Sequence, residues 1–178
     1  MEARALNDGL MAVFNCADDD LAANRAGRVS CRQKWALLRP NFDATLFALV
    51  LLGLLVVGLA FVASLETAAS PDMFVAVLGI VGTVLMFPLS LRWTATLLSI
   101  AGGVAVVRGA LALRVVDKDG APGYECAVGD AVFDVPPDLF RALKSMGIAQ
   151  RRCQAYYLPR MHVLLSLEAV RDPEAHPG

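Results

Sequence analysis

The sequence predicts a membrane α-helical hairpin of two transmembrane helices, joined to a small, soluble C-terminal α+β module that is mostly antiparallel β. Three observations predict it. Two apolar runs, Ala44 to Leu65 and Met73 to Leu91, contain no charged residue. Only "ETAASPD", with Ser-Pro as a breaker, separates them. After residue 103 the spacing of apolar residues falls to two, the period of a strand. Bulk composition agrees: the 178 residues are 57% hydrophobic, and the mean hydropathy of +0.56 exceeds what a soluble domain needs. A net charge of −1 argues against nucleic acid as a partner.

The N-terminal segment, 1–43, is expected to be helical and cytoplasmic. The first long apolar run starts only at Ala44, too late for a secretory signal. Asp18, Asp19 and Asp20 suit the first turn of a helix containing Leu21 and Ala22, and Gly27 suits its end. In "ANRAGRVSCRQKWALLRP", Ser30 and Gln33 have the spacing of a capping box. The helix they start contains Trp35, Leu37 and Leu38 and is expected to stop at Pro40. Its basic residues can set topology or meet anionic lipid headgroups.

The first span, 44–65, is apolar all round and long enough for one hydrocarbon core at about 1.5 Å per residue. The second, 73–91, carries Pro88 near its end, where a kink is cheap. So short a link, 66–72, makes them antiparallel neighbours. That link contains Glu66 and Asp72 but no Lys or Arg, whereas Arg25, Arg28, Arg32, Lys34 and Arg39 precede the first span and Arg92 follows the second. The positive-inside rule then puts the loop outside and both termini in the cytoplasm, in a plasma or bacterial inner membrane. Gly53, Gly58, Gly79, Gly82 and Thr83 are small residues suited to helix packing, within the hairpin or between copies in a homo-oligomer. The absence of Asp, Glu, Lys, Arg and His from both spans argues against a transporter or pump. "WTATLLSIAGGVAVV" is expected to form an interfacial linker, 92–103, with a helix from Arg92 to Ile100. A third span there is the alternative.

The module, 104–170, has the order β-β-β-α-β-β, a small sheet or partly open barrel with one helix. In "RGALALRVVD", Leu111, Leu113 and Val115 face one way. "KDGAPG" is a turn, and "YECAVGDAVFDV" makes two strands around Gly129-Asp130. "PPDLFRALKSMG" is a helix with Leu139, Phe140, Leu143 and Met146 inward and Gly147 as its stop. "RCQAYYLP" and "HVLLSLEAV" are strands joined by Pro159-Arg160-Met161, with Glu168 back in solvent. The residues 171–178 read as a disordered tail.

Chemistry is sparse in this pattern. Cys16, Cys31, Cys126 and Cys153 form no CxxC or Cys/His ligand spacing and read as reduced thiols. His162 stands alone, and Ser166 lacks a nucleophile elbow. No catalytic set, metal-ligand set or cofactor-binding loop is apparent. Tyr156 and Tyr157 point to opposite faces, so one is expected in the core. The other, with Arg160, is the candidate interaction surface.

The motifs "ANRAGRVSCRQ" before the spans, and "FDVPPDLFRAL" and "CQAYYLPRMHVLLSLE" after them, resemble those of a loose group of uncharacterised bacterial two-pass membrane proteins. In that group a small β module closes on a YYxP…LLSxE-like ending. Cys31 and Cys153 depart from it, at positions expected to be variable and polar. The resemblance implies topology and no activity. Function is therefore expected to be non-enzymatic: a cytoplasmic β module held at the lipid bilayer for interaction with, or regulation of, a membrane-protein partner. The alternatives are an accessory or oligomeric pore-lining subunit, and a thiol-dependent enzyme using Cys126 or Cys153.

Overall fold

The computed structural model describes residues 2–65, 71–118 and 120–170. Residues 66–70 of the expected loop and the expected tail, 171–178, lie outside them. The chain forms two compact units, Met1–Gln33 with Ser99–Gly178, and Lys34–Leu98.

The first unit is built on a five-stranded antiparallel sheet. Its strands are β1 (Ala105–Lys118), β2 (Ala121–Val128), β3 (Ala131–Asp134), β4 (Arg152–Leu158) and β5 (Val163–Ala169). Their order is β3-β2-β1-β4-β5, an open sheet. Strand β1 changes partner midway, pairing with β4 from Ala105 to Ala110 and with β2 from Leu111 to Lys118. Gly109 makes the change possible. A Cβ there would come within 2.3 Å of the Gly129 backbone nitrogen, so the β2–β3 turn can cross β1 only over a glycine. That turn is the expected one at Gly129-Asp130, with Val128 paired to Ala131 and Gly129 at φ +57°.

The alternation expected along β1 holds at Leu111, which is buried, and at Leu113, which packs on the core. It fails at Val115, which is exposed. Strand β3 reaches only as far as the Glu125–Asp134 pair, so from the Val115–Tyr124 pair onward β1 and β2 run on as a two-stranded ribbon, in which Tyr124 still packs on Phe140 at 4.9 Å while Val115 stands open.

Two helices cover one face of the sheet. Helix α5 (Pro137–Ser145) follows the sequence pattern: proline in its first turn, Asp138 near the positive end, Phe140 and Leu143 buried. Gly147, at φ +62°, follows it. Helix α1 (Glu2–Val13) falls within the segment 1–43 expected to be helical, but its packing on the sheet has no counterpart in the sequence. Its Leu10 joins the core of Leu111, Phe133, Leu143 and Leu167, flanked by Leu6 and Val13 on the same stripe. The residues before the hairpin thus belong to the same compact unit as the C-terminal module, whereas the sequence reading divided them into 1–43 and 104–170.

Helix α2 (Asp18–Arg25) meets the opposite face of β4 and β5. It ends in a Schellman turn: Arg28 N–H reaches the Ala23 carbonyl at 2.9 Å and Gly27 N–H the Asn24 carbonyl at 3.0 Å, with Gly27 at φ +72°. The Ser30–Gln33 capping box forms in both directions, at 3.1 and 3.2 Å.

Helix α3 (Cys31–Leu65) and helix α4 (Pro71–Ala101) are long and apolar enough to cross a membrane. Both depart from the expected boundaries. Pro40 does not stop α3. It forgoes only its own bond to the Ala36 carbonyl, and the helix on either side carries the chain through. No break separates 73–91 from 92–103, because Arg92-Trp93-Thr94 contains no helix breaker. Helix α4 ends where Gly103 adopts φ +77°. The third span over 93–107 is replaced by the end of α4 and the start of β1, with Val104 N–H donating to the Gly27 carbonyl at 3.0 Å.

Candidate functional sites

Tyr156, Tyr157 and Arg160 do not form one surface. Tyr156 is fully buried, on the α2 face. Tyr157 packs on the opposite core, edge-on to Phe133 at 5.1 Å. Arg160 is exposed in the turn. The two tyrosines do point to opposite faces, as expected. Neither projects into solvent as a docking residue, because helices cover both faces of this half of the sheet.

Tyr156 instead centres a polar network. Its hydroxyl donates to Glu168 Oε2 at 2.9 Å and accepts from Gln154 Nε2 at 2.6 Å. Arg25 of α2 pairs with the same carboxylate, and Arg108 Nε donates to Gln154 Oε1 at 2.7 Å. Burial, and then the bond to Glu168, raise the pKa of the Tyr156 phenol. Glu168 is therefore a structural partner and not a strand end returned to solvent. One residue earlier in α2, Asn24 Nδ2 donates to buried Ser166 Oγ at 2.9 Å. The network ties α2 to β4 and β5 across the whole length of the hairpin insertion.

A second knot holds the start of α3. The carboxylate of Asp20 accepts from Ala17 N–H at 2.9 Å, from the Ser30 hydroxyl and from Arg32. Burial works to raise its pKa, but these three donors outweigh burial and hold it below the ordinary value. At the other end of the sheet, Ala169 N–H donates to Asn7 Oδ1 at 2.8 Å, which blunts the outer edge of β5.

A groove of about 620 Å³ lies beside the edge strand β3, between Val132 and Asp134 on one side and Met161, His162 and Leu164 on the other. Lys118 at its rim pairs with Asp134 and with Glu125. Among the described residues no group of three or more His, Cys, Asp or Glu could hold a metal ion. Cys126 and Cys153 are buried on core-facing strand positions, and burial pushes their pKa values up to about 12 and about 11. That burial disfavours the thiolate form a nucleophile needs.

In the second unit the helices are joined by a polar clamp. Asn41 Nδ2 donates to Thr96 Oγ1 at 3.0 Å, both side chains being buried. Trp93 Nε1 donates to Thr45 Oγ1 at 3.0 Å. Each threonine hydroxyl also donates back to its own helix, Thr45 to the Asn41 carbonyl and Thr96 to that of Arg92. Among the described residues, the small residues do not face the partner helix closely. A Cβ added at Gly53, Gly58, Gly79 or Gly82 would meet nothing within 4 Å, and Thr83 is exposed, bonded back to the Gly79 carbonyl. Asn41 and Thr96 escaped the sequence reading because each lies in a stretch read as something other than a span.

No family of known proteins, no curated protein and no solved structure matches this chain.

Proposed function

We propose that this chain is a two-pass membrane protein whose α3–α4 hairpin crosses the bilayer and holds the β module at the cytoplasmic face. There it serves as a non-enzymatic interaction or regulatory module. The observation that carries the reading is the matched height of the two charge-free runs. The Thr45–Trp93 and Asn41–Thr96 bonds make the helices antiparallel and set the start of one run level with the end of the other. Asp43 and Arg92, the charges that bound the runs, therefore share one level, as a single water–lipid boundary requires.

Two further observations support it. Apolar side chains such as Phe47, Val57, Ile80 and Val84 are exposed, whereas the core helices of a soluble protein would bury theirs. The flanks of the hairpin also combine into one folded unit, so both must lie in the same compartment, which an even number of crossings allows. Basic residues on those flanks favour the cytoplasm. Tethering would raise the local concentration of the module near other membrane proteins. Strand β3, paired only with β2, has an edge on which an extended segment could add.

The test is alkaline carbonate extraction combined with an impermeant maleimide on intact cells. The chain should stay with the membrane, a cysteine introduced by Ala68→Cys should label, and exposed Cys31 should label only after permeabilisation. Release by carbonate, or labelling of Cys31 in intact cells, would overturn the reading. Replacing Lys34–Leu98 with an unrelated charge-free hairpin should preserve copurifying partners if tethering is the role. A second reading, an oligomeric subunit of a membrane complex, draws on the glycines at which a Cβ would meet nothing within 4 Å. Disulfide cross-linking between copies after Gly79→Cys would support it.

A further inference from the structure

Aromatic rings and unspent cations gather at the boundary just described. Trp35 and Phe42 of α3 lie with ring centroids 5.5 Å apart, and Phe42 meets Trp93 of α4 edge-on at 4.7 Å. Trp35 is 60% exposed and Phe42 46%, so the two rings leave much of their surface open. Arg39 lies between them in sequence, four residues after one and three before the other, on the same side of the helix. Its ion pair with Asp43 is long, 3.9 Å, and solvated at both ends, so it holds the guanidinium only weakly. Lys34 and Arg92 are exposed as well. The two helix ends at this boundary thus carry three cations, Lys34, Arg39 and Arg92, and one carboxylate, Asp43, a net charge of 3 − 1 = +2. Arg32, one turn earlier, is occupied by Asp20.

We infer that this collar recognises the headgroup of an anionic phospholipid. The inference rests on the membrane reading above. Lys34, Arg39 and Arg92 attract the phosphate and the net negative charge that a zwitterionic headgroup lacks. Trp35, Phe42 and Trp93 supply the amphipathic and apolar ring surface that settles between headgroup and acyl chain. Each cation near the surface contributes roughly a fivefold preference for anionic lipid.

The two tryptophans of the chain are both in the collar, so its fluorescence reports on this site alone. The full chain is reconstituted in mixed phosphatidylcholine–phosphatidylglycerol vesicles, with bromine on the acyl chains of one lipid or of the other. At equal mole fraction, brominated phosphatidylglycerol should quench several-fold more strongly than brominated phosphatidylcholine. High salt should erase the difference, as should the combined Lys34→Gln, Arg39→Gln and Arg92→Gln variant. Quenching of that variant by brominated phosphatidylcholine as strong as in the parent establishes that its rings still sit in the bilayer. Equal quenching of the parent by both lipids overturns the inference and leaves the membrane reading standing. No quenching by either overturns both.

Discussion

Phe133 in the β module is fully buried, whereas Phe47 in α3 leaves 66% of its surface open. The contrast extends to the neighbours of each. Leu111, Leu143 and Leu158 are sealed in the first unit, while Val57, Ile80 and Val84 stand exposed in the second. The polar groups differ too. The first unit ties distant segments together with charged networks, at Glu168 and at Asp20. The second joins its helices through neutral amide, hydroxyl and indole groups. The same apolar residue types therefore have opposite exposures, which makes physical sense if the units fold in different solvents. The first hides apolar surface from water. The second would have its apolar surface met by lipid tails, where burial is not the driving force.

Truncating the two phenylalanines should break this symmetry most strongly. Phe133→Ala should destabilise the module by about 3–5 kcal/mol, the transfer and cavity cost of a sealed aromatic side chain. Phe47→Ala leaves no cavity inside the protein and should change stability by about 1 kcal/mol or less. Thermal unfolding followed by near-UV circular dichroism would compare them.

A charge inverts the order. Leu54 and Val115 have nearly equal exposure, 64% and 60%. In the ribbon of β1 and β2, Val115→Arg should cost no more than about 0.5 kcal/mol, because water solvates the new cation. In the middle of the first charge-free run, Leu54→Arg should cost about 2.5–3.5 kcal/mol of membrane insertion. An insertion assay giving equal values for the two would mean that both faces meet water, and the comparison would collapse.

Much of this architecture was legible because its signals are local. Absence of charge marks each run within α3 and α4, period-two spacing marks the strands, and Gly129 and Gly147 mark reversals. The misreadings have a common physical origin in long-range packing. Asn24 and Ser166 are 142 residues apart, and no local pattern announces that α2 will cover β5. That cover is why alternation placed Tyr156 and Tyr157 on opposite faces and still missed that both faces are closed. The segment 1–43 is expected to be helical, but the docking of α1 is not legible in it, because Leu6, Leu10 and Val13 make only a short stripe, whose purpose appears when the sheet is in place. Pro40 was read by its intrinsic preference, which the continuity of a long helix overrides. Gly109 looks like a strand residue of low propensity until the turn at Gly129 lies across it.

The knot at Asp20 sharpens the comparison by giving the first unit a pH dependence that the neutral clamp in the second lacks. Its folded pKa lies below the ordinary 3.8. The stabilisation is therefore fully present above the unfolded value and is lost as pH falls through the folded one. Hydrogen exchange at the Ser30–Gln33 capping box should accelerate below about pH 4, and Asp20→Asn should remove that step. At neutral pH the same substitution should cost about 1.5–3 kcal/mol, the range for hydrogen bonds to a charged group. A capping box whose exchange ignores both changes would mean that Asp20 does not hold the root of α3.

The smallest effect belongs to the clamp. Asn41 and Thr96 make a buried amide–hydroxyl bond between α3 and α4, at the level where the charge-free runs begin and end. In water the alternative to that bond is solvation. In lipid the separated helices also find partners for these groups, so the measured coupling of such pairs is modest. A double-mutant cycle of Asn41→Leu and Thr96→Val should give about 0.6 kcal/mol when unfolding is followed in lipid. The Thr45–Trp93 bond should remain in every corner of the cycle, since neither substitution touches it. Coupling near zero would imply that the contacts of Trp93 with Thr45 and Phe42 hold the helices together there. A value of about 2 kcal/mol or more would exceed the range for an interhelical bond in lipid, and would place Asn41 and Thr96 in the cooperative core of the folded unit.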